Sequence, residues 1–132
     1  MSYTNNTTSI IAGTGISVSP TSGTGANEIT ISSSGTQTLA VRIATATPVT
    51  VTTADEVVAV QVSPAAAVAV NLPAGVLGQV FNIKDGLGNA TILTPITITP
   101  AAGNIDGAPV AVINVPFGSL TLVYDGVQWL LI

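Results

Sequence analysis

Along most of this chain, apolar residues recur at every second position. Val58, Val60 and Val62 fall on one side of the pattern, and Val57, Ala59 and Gln61 on the other. The same step runs through Val68, Val70 and Leu72, through Phe81 and Ile83, through Ile96 and Ile98, and through Leu120, Leu122 and Tyr124. Successive side chains of an extended strand point to opposite faces, so this period predicts half-buried strands, not helices. Val, Ile and Thr dominate these runs, and their branched Cβ atoms suit a pleated surface.

Turn signals separate the runs at intervals of about ten residues, the spacing of a sandwich or barrel. They are Pro64, Pro73-Ala74-Gly75, Asp85-Gly86, Gly88-Asn89, Pro100, Gly103-Asn104, Asp106-Gly107, Pro116 and Asp125-Gly126. Gly takes positive φ without steric cost and Asp tolerates it, so Asp-Gly reads as a tight turn. The clearest prediction is a closing hairpin: Ser119 to Tyr124, a turn at Asp125-Gly126, then Val127 to Ile132. Ala65-Ala66-Ala67 could open a helical turn, but alternation resumes at Val68, and the segment reads as a loop. Thr47-Pro-Val-Thr-Val51 is echoed by Thr94-Pro-Ile-Thr-Ile98, a match too short to establish a duplication.

Residues 1–36 differ in character, being rich in Thr, Ser, Asn and Gly. Their apolar mass is little more than Ile10, Ile11, Ile16, Val18, Ile29 and Ile31, too little to fold alone. Two short strands are predicted there, Gly15 to Ser19 and Glu28 to Ser32, around a loop at Pro20 to Asn27. The segment reads as an arm whose six apolar residues are candidate contacts with partner subunits, against the alternative of a disordered tail. The expected fold class is therefore all-β. It is a single β-sandwich or jelly-roll-like domain of short antiparallel strands, over 37–132, with an extended N-terminal arm over 1–36.

Composition adds to this picture. Hydrophobic residues make up 47% of the 132-residue chain and charged ones only 6%, against about 25% in ordinary soluble domains. Such a surface is covered by Thr, Ser, Asn and Gly or by other protein, which points to assembly. Net charge is −4, and Arg42 and Lys84 are the only basic residues. Phosphate backbones and anionic lipid surfaces are recognised by clusters of Lys and Arg, so neither nucleic acid nor membrane is an expected partner. No apolar run has the length of a membrane span without Pro, Gly or polar interruption. The start, Met1 to Gly15, lacks the basic and apolar regions of a secretory signal.

Cysteine and histidine are absent, which removes disulfides, Cys/His zinc sites, thiol nucleophiles and the Ser-His-Asp triad. The adjacent acids Asp55 and Glu56 would point to opposite faces of a strand and so share no site. Asp85, Asp106 and Asp125 each precede Gly; turn chemistry explains them without a cation, and no spacing resembles a calcium loop. No catalytic residue, cofactor or metal is expected. Arg42, within Leu39-Ala-Val-Arg-Ile43, is a candidate interface residue, because its guanidinium can bind a carboxylate of a neighbouring subunit bidentately. Solvent exposure is the alternative for both cations. Trp129 is expected in the core, with a glycan or subunit contact as the alternative.

Several stretches, in order, resemble a β-module of bacteriophage tail-fibre, baseplate and capsid-decorating proteins. They are Ala69-Val-Asn-Leu-Pro73, Gly78-Gln-Val-Phe-Asn-Ile-Lys-Asp85, Gly88-Asn-Ala90, Ile96-Thr-Ile-Thr-Pro100, Asn104-Ile-Asp-Gly107 and Gly118-Ser-Leu-Thr-Leu-Val-Tyr-Asp-Gly126, ending at Trp129. Ile11-Ala-Gly-Thr-Gly-Ile-Ser-Val-Ser19 is similar to a phrase of phage fibre proteins. The resemblance implies a structural role in a virion, usually as a homotrimer, and supplies no catalytic residues. Fibre proteins are long and multi-domain, so a short chain fits a capsid decoration (cement) protein better. The expected partners are then the major capsid protein and two further copies of the chain, on the capsid surface after assembly in the host cytoplasm. The rival readings are a tail-fibre or baseplate component, a carbohydrate-binding module using Trp129 or Tyr124, and an enzyme with converging carboxylates.

Overall fold

The structure, a computed structural model, describes residues 16–21, 28–33 and 38–132. The chain divides into two units, Met1–Thr38 and Leu39–Ile132. In the first, β1 (Ile16–Thr21) and β2 (Glu28–Ser33) pair antiparallel, with Val18 opposite Ile31 and Pro20 opposite Ile29. The two strands expected of the arm are present, and each is the other's partner. Ile10 and Ile11 lie outside the described residues.

The second unit contains nine strands and, among the described residues, no helix. They are β3 (Val41–Ala44), β4 (Val49–Thr50), β5 (Val57–Val60), β6 (Val68–Asn71), β7 (Val80–Asp85), β8 (Ile96–Thr99), β9 (Ala111–Ile113), β10 (Ser119–Tyr124) and β11 (Trp129–Leu131). One sheet has the order β11-β10-β7-β5-β3 and the other β4-β6-β8-β9. Ser63 to Ala67 is a loop, as the alternation at Val68 implies.

The connectivity differs from the antiparallel sandwich or jelly roll expected from the sequence. Strands β3, β5 and β7 are parallel neighbours in one sheet, and β4, β6 and β8 are parallel neighbours in the other. From β3 to β8, consecutive strands alternate between the two sheets. A parallel pair needs a crossover, usually a helix; here each crossover is a strand of the opposite sheet. Sheets about 10 Å apart are spanned by a handful of extended residues, and the connectors 45–48, 51–56 and 61–67 are of that size. Only the closing strands return as antiparallel neighbours: β9 on β8, β10 on β7 and β11 on β10. Alternating hydrophobicity reports one buried face per sheet and is silent on direction. Asp-Gly at 85–86 begins an arch between sheets, whereas Asp-Gly at 125–126 turns a hairpin.

The winding explains the internal echo. Thr47-Pro-Val and Thr94-Pro-Ile lead into β4 and β8, which flank β6 in one sheet, with Val49 beside Val70 and Val70 beside Ile98. All three side chains are buried. Both sheets contribute their inner positions to one core. Val58, Val60, Phe81, Ile83, Leu122 and Trp129 come from the first, and Val68, Val70, Ile96, Ile98 and Ile113 from the second. Trp129 is fully buried, with Phe81 and Tyr124 at ring-centroid distances of 5.3 and 5.2 Å. A core with so few large residues depends on each of them. Phe81→Ala is expected to cost about 3–5 kcal/mol and Leu122→Ala about 2–5 kcal/mol, while Val80→Ala on the outer face stays within about 0.5 kcal/mol. Urea denaturation of the three variants checks this ranking.

Candidate functional site

Among the described residues the most heavily bonded side chain is that of Asp85, the last residue of β7. It is 1% exposed, and its carboxylate accepts five backbone N–H groups. Oδ1 takes those of Leu87, Gly88 and Asn89 at 3.3, 3.0 and 3.2 Å. Oδ2 takes those of Ala90 and Phe117, both at 3.0 Å. Burial alone would raise the pKa of this carboxyl; the N–H bonds from Ala90, Phe117, Asn89 and Leu87 outweigh it and hold the group below its ordinary value of 3.8. The effect is structural: one anion gathers the 86–90 arch and the segment before β10.

That nest fixes Phe117, which is 61% exposed at φ +58°. Bulky residues pay for this left-handed conformation. Its carbonyl accepts the Lys84 ammonium, which also lies 6.0 Å from the ring centroid. The ring covers Gly88, where a Cβ would lie 2.5 Å from it and where φ is +75°. Leu87 and Val115, both exposed, adjoin this position in sequence. Solvent exposure was one expectation for Lys84, which instead meets the Phe117 carbonyl. The signal for the presentation of Phe117 was Pro116-Phe-Gly118, a turn with an aromatic at its tip.

Arg42, the candidate interface cation, has a partner within its own chain. Its guanidinium meets Asp55 Oδ2 at 3.1 Å and donates to the Thr50 carbonyl at 2.7 Å. Asp55 also accepts the N–H of Thr52 at 2.8 Å, and its neighbour Glu56 turns away to accept the Ala40 N–H. The two adjacent acids lie in the connection before β5, not on a strand as expected, and serve different contacts. Ile16, Val18, Ile29 and Ile31 lie on β1 and β2. The Asp-Gly carboxylates do not converge. Asp106 accepts the Leu131 N–H, and Asp125 accepts those of Val127 and Gln128, which lower its pKa although it is exposed.

The exposed surface combines uncharged polar residues with large apolar side chains. Ile92 and Leu93 are 83% and 89% exposed at the tip of a turn closed by Thr91 and Thr94 hydroxyls 2.8 Å apart. Val76 and Leu77 project beside the β10–β11 connection, where Val127 is also exposed. Such presentation suits binding to protein more than chemistry. Trp129, buried between Phe81 and Tyr124, is not a stacking platform for a sugar. A small cavity has room for about 10 Å³, roughly one water. Val60, Val68, Asp85, Asn89, Thr94 and Ile96 are among its lining residues. No protein-family model matches the chain, and no curated protein matches it.

The nest has a thermodynamic signature. Below neutral pH the unfolded chain binds protons before the folded one, because Asp85 and Asp125 are held below 3.8 when folded. Stability is therefore expected to be level above about pH 5 and to fall as pH drops through 3.8 toward the folded values. Asp85→Asn leaves buried N–H groups facing an amide, costs about 3 kcal/mol at pH 7, and flattens the acid limb. Urea unfolding from pH 7 to pH 2.5 measures both effects.

Proposed function

We propose that this protein is a structural component of a bacteriophage virion: a capsid decoration (cement) protein that sits as a homotrimer on the major capsid protein, at the capsid surface, after assembly in the host cytoplasm. The observation that carries this reading is the surface. Nearly every ionised group of the second unit is spent inside the chain, on Arg42–Asp55, on the Asp85 nest and on Lys84 with Phe117, while large apolar side chains stand out on tightly bonded turns. A surface of this kind gains little from staying in water and much from being covered. The ordered motifs from Ala69 to Trp129 supply the virion context by resemblance.

The mechanism is mechanical. A two-sheet module held by one core keeps its turns in place, and the exposed apolar residues and the arm give each copy several small contacts. Repeated over a shell, such contacts stabilise it through multivalency. Since few of them are ionic, added salt screens little of the attachment.

The test is the copy number of this protein relative to the major capsid protein in purified virions, by quantitative mass spectrometry, before and after a wash in 1 M NaCl. Near-stoichiometric amounts that survive the wash are expected. A few copies per particle would move the protein to the tail fibre or baseplate, and absence from the particle would end the virion reading.

A further inference from the structure

A sheet edge carries unpaired N–H and C=O groups, and proteins ordinarily blunt it with Pro, charge, brevity or a covering loop. The two larger sheets have four edges: β11, β3, β4 and β9. Three are blunted. Strand β11 is covered by Asn104 to Asp106: Trp129 N–H donates to the Asn104 carbonyl, Asp106 N–H to the Trp129 carbonyl, and Leu131 N–H to the Asp106 carboxylate. Strand β4 is two residues long, follows Pro48, and has its Thr50 carbonyl taken by Arg42. Strand β9 is three residues long and lies between Pro109 and Pro116.

Within the second unit, strand β3 has none of these protections. It is four residues long, without Pro, and its only charge, Arg42, is tied to Asp55. Val57 N–H donates to the Ala40 carbonyl and Gln61 N–H to the Ala44 carbonyl, with Val41 beside Val57. In this parallel ladder β3 therefore spends the backbone groups of Arg42 and Ala44 on β5, and turns those of Val41 and Ile43 to the open side. Leu39, Val41 and Ile43 are 65%, 58% and 51% exposed, an uncharged stripe along that same edge.

We propose that β3 is a self-pairing edge, joining two copies of the chain antiparallel about a two-fold axis through Val41. The edge is its own complement. In this register Val41 meets Val41 of the second copy, and Leu39 meets Ile43, so odd-numbered residues exchange backbone bonds and the apolar stripes adjoin. Arg42 then faces Ala40 and not another Arg42, which avoids opposing like charges. Pairing β3 with any other edge of the two larger sheets would require removing a covering loop or a proline-flanked short strand. The inference is independent of the virion reading, since it concerns the isolated chain. On a shell, trimers at three-fold positions face one another across two-fold axes, and this edge would link neighbouring trimers.

The chain lacks cysteine, so one substitution gives one thiol. Hydrogen-bonded antiparallel partners have Cα atoms about 5.5 Å apart, within disulfide range of about 4.4–6.8 Å. On mild oxidation, Val41→Cys is expected to cross-link to a covalent dimer and Ile43→Cys, facing Leu39, is not. By light scattering after size exclusion, the unaltered chain should contain an even number of 13.1 kDa chains. Val41→Pro removes an outward N–H without touching the β3–β5 ladder, and should halve that mass. Should Val41→Pro fail to fold by circular dichroism, hydrogen exchange of the unaltered chain decides. Val41 and Ile43 amides should exchange slowly when concentrated and quickly on dilution. A monomer with fast exchange at both amides overturns the proposal and leaves the edge to another protein's strand. Slow exchange without the Val41→Cys cross-link overturns the two-fold register.

Discussion

The arrangement depends on a single buried anion. Asp85 ends β7 in the five-stranded sheet, and the arch it gathers leads to β8 in the four-stranded one. Its fifth bond reaches Phe117, just before β10 returns to pair with β7. The carboxylate therefore ties the last parallel crossover to the first strand of the closing hairpin. A charge so buried is tolerated because five N–H dipoles replace its water. The same N–H groups, cut off from any ladder by the arch, would be orphaned without it. Each half of the arrangement makes the other affordable.

That tie matters because of how the chain winds. Strands that alternate between two sheets share no hairpin turn with their neighbours, so register comes from the core. The inner positions Val58, Ile83 and Leu122 in one sheet, and Val70 and Ile98 in the other, are all fully buried. A one-residue slip would turn any of these to solvent. The arches are then free to carry exposed residues such as Ile92, Leu93 and Phe117, because folding does not rely on burying them.

The strands were legible because period 2 is a local property. The runs at Val68, Ile96 and Ser119 became β6, β8 and β10, and Asp125-Gly126 became the closing turn. Direction was not legible. An alternating run looks the same in a hairpin and in a coil that crosses between sheets, and an Asp-Gly pair serves both an arch and a hairpin. The Thr47-Pro and Thr94-Pro echo was the trace of that winding, visible but too short to read. Asp85 illustrates the same limit. Asp-Gly-Leu-Gly-Asn is turn grammar on the page, and only the long-range approach of Phe117 makes it an organising nest. Arg42 was singled out for its charge, and its match, Asp55, lies 13 positions on, beyond any local pattern.

The scarcity of charge connects these observations. A soluble domain usually spreads Lys and Glu over its surface to keep edges and apolar patches apart. In the second unit the cations Arg42 and Lys84 fasten loops to strands, Asp85 and Asp125 hold turns, and Asp106 covers β11 by accepting the Leu131 N–H. Charge here fixes geometry and leaves contact to apolar groups. An ordinary surface lysine at Val41 or Ile43 would have closed the β3 edge at almost no folding cost, since both side chains already face outward. That neither position carries one leaves β3 able to pair, while β11, β4 and β9 are each blunted by a different means. Within the second unit, three closed edges and one open edge leave a single edge for strand pairing, and a self-paired edge closes on itself without propagating.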